Sequence, residues 1–208
     1  MTELVQRMGQ GDVIANIDTL EANTDTLEAL LAAATPAGTN VLGFVSVPVT
    51  VSTTVTRPAD TNAYLANEAW ADSTSAPTAG GFTFTGAGRA SGKSGIIRSA
   101  TITSSADPAT LLQGELWLFD ASVTAVNDNA AFALSDADVL KLVTVIPFTL
   151  VTTTAGSGTN SCAVITGIDE MFTCVGTANL RFLVKVKNAY TPISGEVLQV
   201  RLKIEQLD

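Results

Sequence analysis

The chain has 208 residues and a mass of 21.4 kDa; 46% of the residues are apolar, 15% charged and 6% aromatic. A globular chain of this length buries a core without disulfides, which excludes wholesale disorder. With 11 basic and 20 acidic residues the net charge is −9, which argues against general nucleic-acid binding, and the absence of histidine removes the commonest general base and zinc ligand.

The opening MTELVQRMGQGD carries no apolar run, so no signal peptide is expected, and no stretch approaches 18 consecutive apolar residues. Helical periodicity follows. Val13, Ile17, Leu20, Thr24, Leu27 and Leu31 alternate by four and three, the a/d spacing of a heptad, and Asp18-Thr-Leu-Glu-Ala repeats as Asp25-Thr-Leu-Glu-Ala. Asp12 is a fitting N-cap, and Thr35-Pro36-Ala37-Gly38 is a stop. The pattern predicts a helix over 12–34, about 35 Å long at 1.5 Å per residue. Its seam is narrow, with Val13, Ile17, Leu20, Leu27 and Leu31 as the oligomerisation residues and Thr24 as a weak point. The seam suits self-association or docking better than packing on its own domain, although the latter stays open. Residues 1–38 are thus expected to form a helical oligomerisation or docking segment, and 39–208 one β domain.

From Asn40 the period changes to two. Val45, Val47, Val49, Val51 and Val55 share one face of a long strand, and Pro48 suggests an edge or bulge. Phe82 and Phe84 mark a short strand; 96–103 and 115–120 mark two more. Leu142–Thr152 is apolar enough to be buried on both faces, apart from Pro147, which suggests an edge or bulge there. Ser135 begins a capped turn that runs into this strand. Leu180, Phe182, Val184 and Val186 face in, as do Leu198, Val200, Leu202 and Ile204, and the turn-rich Asn188–Gly195 predicts that these last two strands are antiparallel neighbours. The expected fold is mainly β, an antiparallel β-sandwich or jelly roll with a short N-terminal α-helix.

Candidate chemistry is sparse. Gly86-Ala-Gly-Arg-Ala-Ser-Gly92-Lys93-Ser94 resembles a phosphate loop, but Ala87 stands where glycine is required and a strand follows, so a plain inter-strand loop is expected. Asp120, Asp128, Asp136 and Asp138 lie in a loop-rich stretch without calcium-loop spacing and are expected to be solvated. Ser157 lacks both nucleophile-elbow spacing and an imidazole partner. Cys162 and Cys174 flank ITGIDEMFT, two short strands and a turn that a disulfide could bridge; two small buried thiols are the favoured reading. Tyr64, Trp70, Trp117, Phe119 and Tyr190 could form a sugar platform or an interface, but packing in the sandwich core is the favoured reading; Trp70, in polar surroundings, is expected to be the one partly exposed. No catalytic, cofactor-binding or metal-binding residue is assigned, and no enzyme activity is expected.

Four pieces of the body carry a resemblance: Arg57-Pro-Ala-Asp-Thr-Asn-Ala-Tyr64; Gly95-Ile-Ile-Arg-Ser-Ala-Thr-Ile102; Leu116-Trp-Leu-Phe-Asp120 with Asn127-Asp-Asn-Ala-Ala-Phe132; and Ala189-Tyr-Thr-Pro-Ile-Ser-Gly-Glu196. In their order and spacing they resemble a family of tailed-bacteriophage virion proteins, over most of 55–208. The resemblance implies a β-sandwich module that trimerises and decorates the particle, with no catalytic residues. A trimeric capsid decoration (cement) protein is the expected role, clamping adjacent major capsid subunits, assembled in the host cytoplasm and localised to the virion. Its expected partners are itself, as a homotrimer, and the major capsid protein, with no nucleic acid, membrane or cofactor. The alternative is a tail or baseplate appendage that binds host-surface carbohydrate.

Overall fold

The computed structural model describes residues 20–26, 46–153 and 159–207. The chain divides into two units, Met1–Gly43 and Phe44–Asp208. In the first, residues 20–26 form helix α1, exposed throughout. Thr24 and Thr26 donate their hydroxyls to the carbonyls of Leu20 and Ala22 at 2.8 and 2.7 Å, satisfying themselves within the helix. Leu20 is 65% exposed; the other seam residues, Val13, Ile17, Leu27 and Leu31, lie outside the described residues.

The second unit is a sandwich of two antiparallel sheets. Its strands are β1 (Val47–Thr56), β2 (Ala69–Trp70), β3 (Phe82–Phe84), β4 (Ser94–Ser104), β5 (Gln113–Phe119), β6 (Leu142–Thr149), β7 (Val151–Thr152), β8 (Ser161–Thr173), β9 (Leu180–Val186) and β10 (Val197–Gln206), with a short helix α2 (Asp136–Val139) before β6. One sheet runs β1-β10-β4-β8-β7 and the other β2-β9-β5-β6, with β3 on the same edge of β9 as β2. Taking β2 and β3 as two halves of one strand, and β7 as an extension beside β8, leaves the two interleaved four-stranded sheets of a jelly roll. The predicted fold class is the observed one.

Alternation places the core. On β10, Leu198, Val200, Leu202 and Ile204 are buried, and on β9 so are Leu180, Phe182, Val184 and Val186. β1 is an edge strand paired with β10 from Val47↔Gln206 to Thr56↔Val197, so Pro48 removes no interior ladder bond. A second, smaller cluster lies on the outer face of the β2-β9-β5-β6 sheet. There Phe119, Val123 and Leu183 are covered by Phe132 and Leu134 from the long β5–β6 connection.

Three expectations are corrected. β9 and β10 are not neighbours: they belong to different sheets, because both edges of β10 are taken by β1 and β4 and the intervening loop crosses the end of the sandwich. Leu142–Thr152 is not one strand buried on both faces. It is two edge pieces that change sheets at Leu150, with Ile146 and Phe148 inward and Pro147 and Thr149 exposed. Finally, Cys162–Cys174 spans one continuous strand, not a hairpin. Pairing passes from Ser99↔Thr166 to Ile97↔Glu170 across a bulge, with positive φ at Gly167 (68°) and Asp169 (49°). Both cysteines are free thiols, at opposite ends of β8.

Two glycines serve close approach. Gly95 pairs with Phe172 and Gly114 with Phe148, and each phenyl ring lies across the glycine's Cα. A Cβ would meet the ring's Cζ at 2.6 Å on Gly95 and 2.5 Å on Gly114. Gly114→Ala is therefore expected to cost about 1–3 kcal/mol through overpacking, read as a lower urea midpoint at unchanged m-value.

Candidate functional site

Connectivity defines two ends of the sandwich. β1 begins at one, the entry end. At the other, the far end, three loops of remote sequence position bring polar side chains inside.

Arg57 follows β1 and its side chain is fully buried. Its Nη2 donates to Asp60 Oδ1 at 2.8 Å and Asp128 Oδ2 at 3.3 Å, and its Nε to the Tyr64 hydroxyl at 3.2 Å. Asp128 also accepts from the Tyr64 hydroxyl at 2.5 Å and the Ala71 amide at 2.8 Å. Tyr64 stacks on Tyr190, with centroids 6.0 Å apart, and the two exchange main-chain hydrogen bonds. The Tyr190 hydroxyl donates to Glu196, which is 0% exposed and accepts a second bond from Ser104 Oγ. The Arg57 amide donates to the Glu196 carbonyl at 3.0 Å, closing the chain of contacts.

Burial dominates the electrostatics here. It pushes the Asp128 carboxyl above its ordinary range, against the opposing pull of Tyr64, Ala71 and Arg57. It also raises both phenols, helped by Asp128 beside Tyr64 and by Glu196 beside Tyr190. A buried carboxylate, guanidinium and tyrosine could suggest a reaction centre, but the donors and acceptors are turned on one another. Shallow grooves of 420, 430 and 390 Å³ mark the surface, and the first is bordered by Ser104 of the network. The first is lined by uncharged groups such as Thr54, Thr103, Ser105 and Gln199. Among the described residues, no group of three or more acidic or cysteine side chains is placed to hold a metal ion.

The loop acids divide. Asp128 and Asp138 are 4% and 3% exposed, which corrects the expectation that they are solvated; each is buried because a cation and hydrogen-bond donors compensate it. Asp138 accepts from Lys141 Nζ at 2.9 Å and from Ser135 Oγ at 2.8 Å, while Ser135 caps α2. The Lys141 contact, followed by others, holds the Asp138 carboxyl down to about 2 from 3.8. A depressed folded value means stability that is present above pH 4 and lost as pH falls from about 4 towards 2. Asp138→Asn should flatten that part of the acid-unfolding profile in denaturant titrations at stepped pH.

The aromatic platform is not at the surface. Tyr64 and Tyr190 belong to the network. Trp70 is 1% exposed, contrary to expectation, because β2 pairs with β9 and turns the indole into the core despite its polar flanks. Trp117 is half-buried, with Phe132 at 5.2 Å and Lys185 over its ring at 5.8 Å. The glycine-rich segment 86–93 is an inter-strand loop, and Ser157 lies outside the described residues. The residues that sequence reasoning missed as interacting groups are Arg57, Ser104 and Glu196. Two of them stand at the boundaries of the resembling pieces, and this was the available signal.

No family model and no curated protein matches the chain. Among solved structures, a chain in the cyanophage Pam1 capsid asymmetric unit is 14% identical, with 84% of this chain and 93% of that one covered, at a TM-score of 0.30. A chain of Desmodium yellow mottle tymovirus is also 14% identical, with 81% and 85% covered, at a TM-score of 0.26.

Proposed function

We propose that this chain is a structural protein of a phage particle, a trimeric decoration (cement) protein that clamps adjacent major capsid subunits. The observation that carries this reading is the convergence of the resembling pieces. Arg57–Tyr64, Asn127–Phe132 and Ala189–Glu196 are far apart in sequence, yet they supply most of the buried network. The resembling pieces thus coincide with residues that hold this end of the fold together, which supports the resemblance. The buried polar groups at the far end are paired with one another, which supports a structural reading of that network. The N-terminal unit contributes one basic residue, Arg7, against six acidic ones, and a narrow heptad seam. Three seams in one bundle would make weak capsid contacts multivalent.

Two measurements test the role. Added to empty heads, the chain should bind stoichiometrically and raise their melting temperature; failure of both rejects the clamp. In light scattering the full chain should have three times the 21.4 kDa chain mass, and a version starting at Asn40 should fall to one. An unchanged oligomer would make residues 1–38 a docking element instead.

A further inference from the structure

Among the described residues the sandwich has four lateral edges, and three of them are blunted against strand pairing. On β6 the Leu150 amide donates to the Leu112 carbonyl, so alternate residues back from Leu150 bond β5 and Pro147 turns its nitrogen to the open edge. β8, beyond the two residues covered by β7, is bent by the bulge at Gly167 and Asp169 and carries Glu170 beside it. β2 and β3 are pieces of two and three residues. β1 differs. It runs for 10 residues without a charged side chain, in a chain of net charge −9, and among the described strands β10 alone pairs with it.

The hydrogen bonds at its end fix which groups are free. The Arg57 amide donates to the Glu196 carbonyl at 3.0 Å. Val197, opposite Thr56, instead turns its amide to Ser105 Oγ and its carbonyl to the Ser105 amide. Odd-numbered residues of β1 therefore bond β10, and the amides and carbonyls of Thr50, Ser52, Thr54 and Thr56 point to the open edge with the Pro48 carbonyl. The 390 Å³ groove is lined by four consecutive residues, Thr53, Thr54, Val55 and Thr56, with Phe82 and Thr83, so it runs along this edge.

We propose that β1 pairs antiparallel with β1 of a second copy, across a two-fold axis at Ser52. The edge selects this occupant because it is complementary to itself. Ser52 meets Ser52 and Thr50 meets Thr54, each pair exchanging two main-chain bonds. Pro48, which lacks an amide, falls opposite Thr56 at the end of the ladder, where its carbonyl still accepts. On the outer face the opposed side chains are hydroxyl on hydroxyl, and no like charges meet. On the inner face Val49 of one copy comes opposite Val55 of the other, beside the groove. The contact is weak and reversible, since main-chain bonds exceed those to water by little, and it opens on dilution. It does not depend on the trimer reading.

The test mixes concentrated full chains carrying Thr50→Cys and Thr54→Cys, one of them tagged to shift its size, and oxidises them with copper-phenanthroline. Residues opposed in such a ladder stand about 5.5 Å apart at Cα, within disulfide reach. A covalent heterodimer on non-reducing gels is expected from the mixture, at least about tenfold above either chain alone, and Ser52→Cys should link to itself. The unsubstituted chain, with Cys162 and Cys174, gives the background. Ser52→Asp in both members of the mixture sets two carboxylates face to face and should suppress the link without changing the circular dichroism. No link, or equal linkage in the mixture and in the separate chains, overturns the pairing. If Ser52→Asp then still weakens binding to empty heads, the edge takes an extended segment of the shell instead. The mass of the dilute full chain judges the trimer reading separately.

Discussion

Replacing Arg57 with methionine is expected to cost about 3–5 kcal/mol at neutral pH, and at this chain length that is a fall of roughly 6–20 °C in melting temperature. The magnitude follows from what remains. Methionine fills much of the volume, so little of the loss is packing. Asp128 keeps the Tyr64 hydroxyl and the Ala71 amide but loses its buried cation, and Tyr64 loses a donor. An unpaired charge inside the protein costs far more than the net value of the ion pair.

The pH dependence separates this cause from simple disruption. Burial already raises the Asp128 carboxyl above its ordinary value, and loss of Arg57 raises it further. A carboxyl raised in the folded state takes up a proton on folding, so its penalty shrinks as pH falls through the folded value. The Arg57→Met deficit should therefore be largest at neutral pH and above and shrink as the pH falls towards the ordinary carboxyl range. Pairing Arg57→Met with Asp128→Asn should recover part of the loss, since no unpaired charge remains. A deficit independent of pH, and no recovery in the double variant, would mean that the cluster acts through shape alone.

Period-two alternation made the inward faces of β1, β9 and β10 legible, because burial on one side imposes it whatever the pairing. The same logic explains the failure at β9 and β10. Alternation states which face is buried and is silent on which strand lies alongside, and a turn-rich loop can close a hairpin or cross between sheets equally well. Trp70 misled for a related reason: its neighbours in sequence are polar, but a two-residue strand is enough to reverse the direction of a side chain. Asp128 was illegible as a buried group because its partners Arg57, Tyr64 and Ala71 lie 57 to 71 residues away, and Glu196 because, beside the nearby Tyr190, its second donor Ser104 is 92 residues away. Only the order of the resembling pieces carried that information. The 12–34 seam was read from a local repeat, and its test is a measurement of mass.

The second large effect lies in the apolar core. Phe182→Ala should cost about 3–5 kcal/mol, read as a fall in urea midpoint. Phe182 is 0% exposed at the centre of β9 and pairs across the strand with Phe82. Its ring stacks on Phe84 at 4.6 Å and 24°, and tilts against Phe82 at 5.2 Å. On its other side β9 is held by β5, which in turn pairs with β6, so neighbouring backbone cannot collapse into the vacated space. Phe182→Leu should cost distinctly less, and a double-mutant cycle with Phe84→Leu should return a coupling of about 0.5–1.5 kcal/mol beyond the area lost. Because among the described strands β3 pairs with β9 alone, with one further bond from the Thr53 hydroxyl of β1 to the Thr83 carbonyl, losing the Phe182 ring should also free Phe82–Phe84 to exchange its amides before the rest of the sandwich opens. Hydrogen exchange confined to β3 supports that order of events; uniform exchange across all strands would show β3 to be fully cooperative with the core.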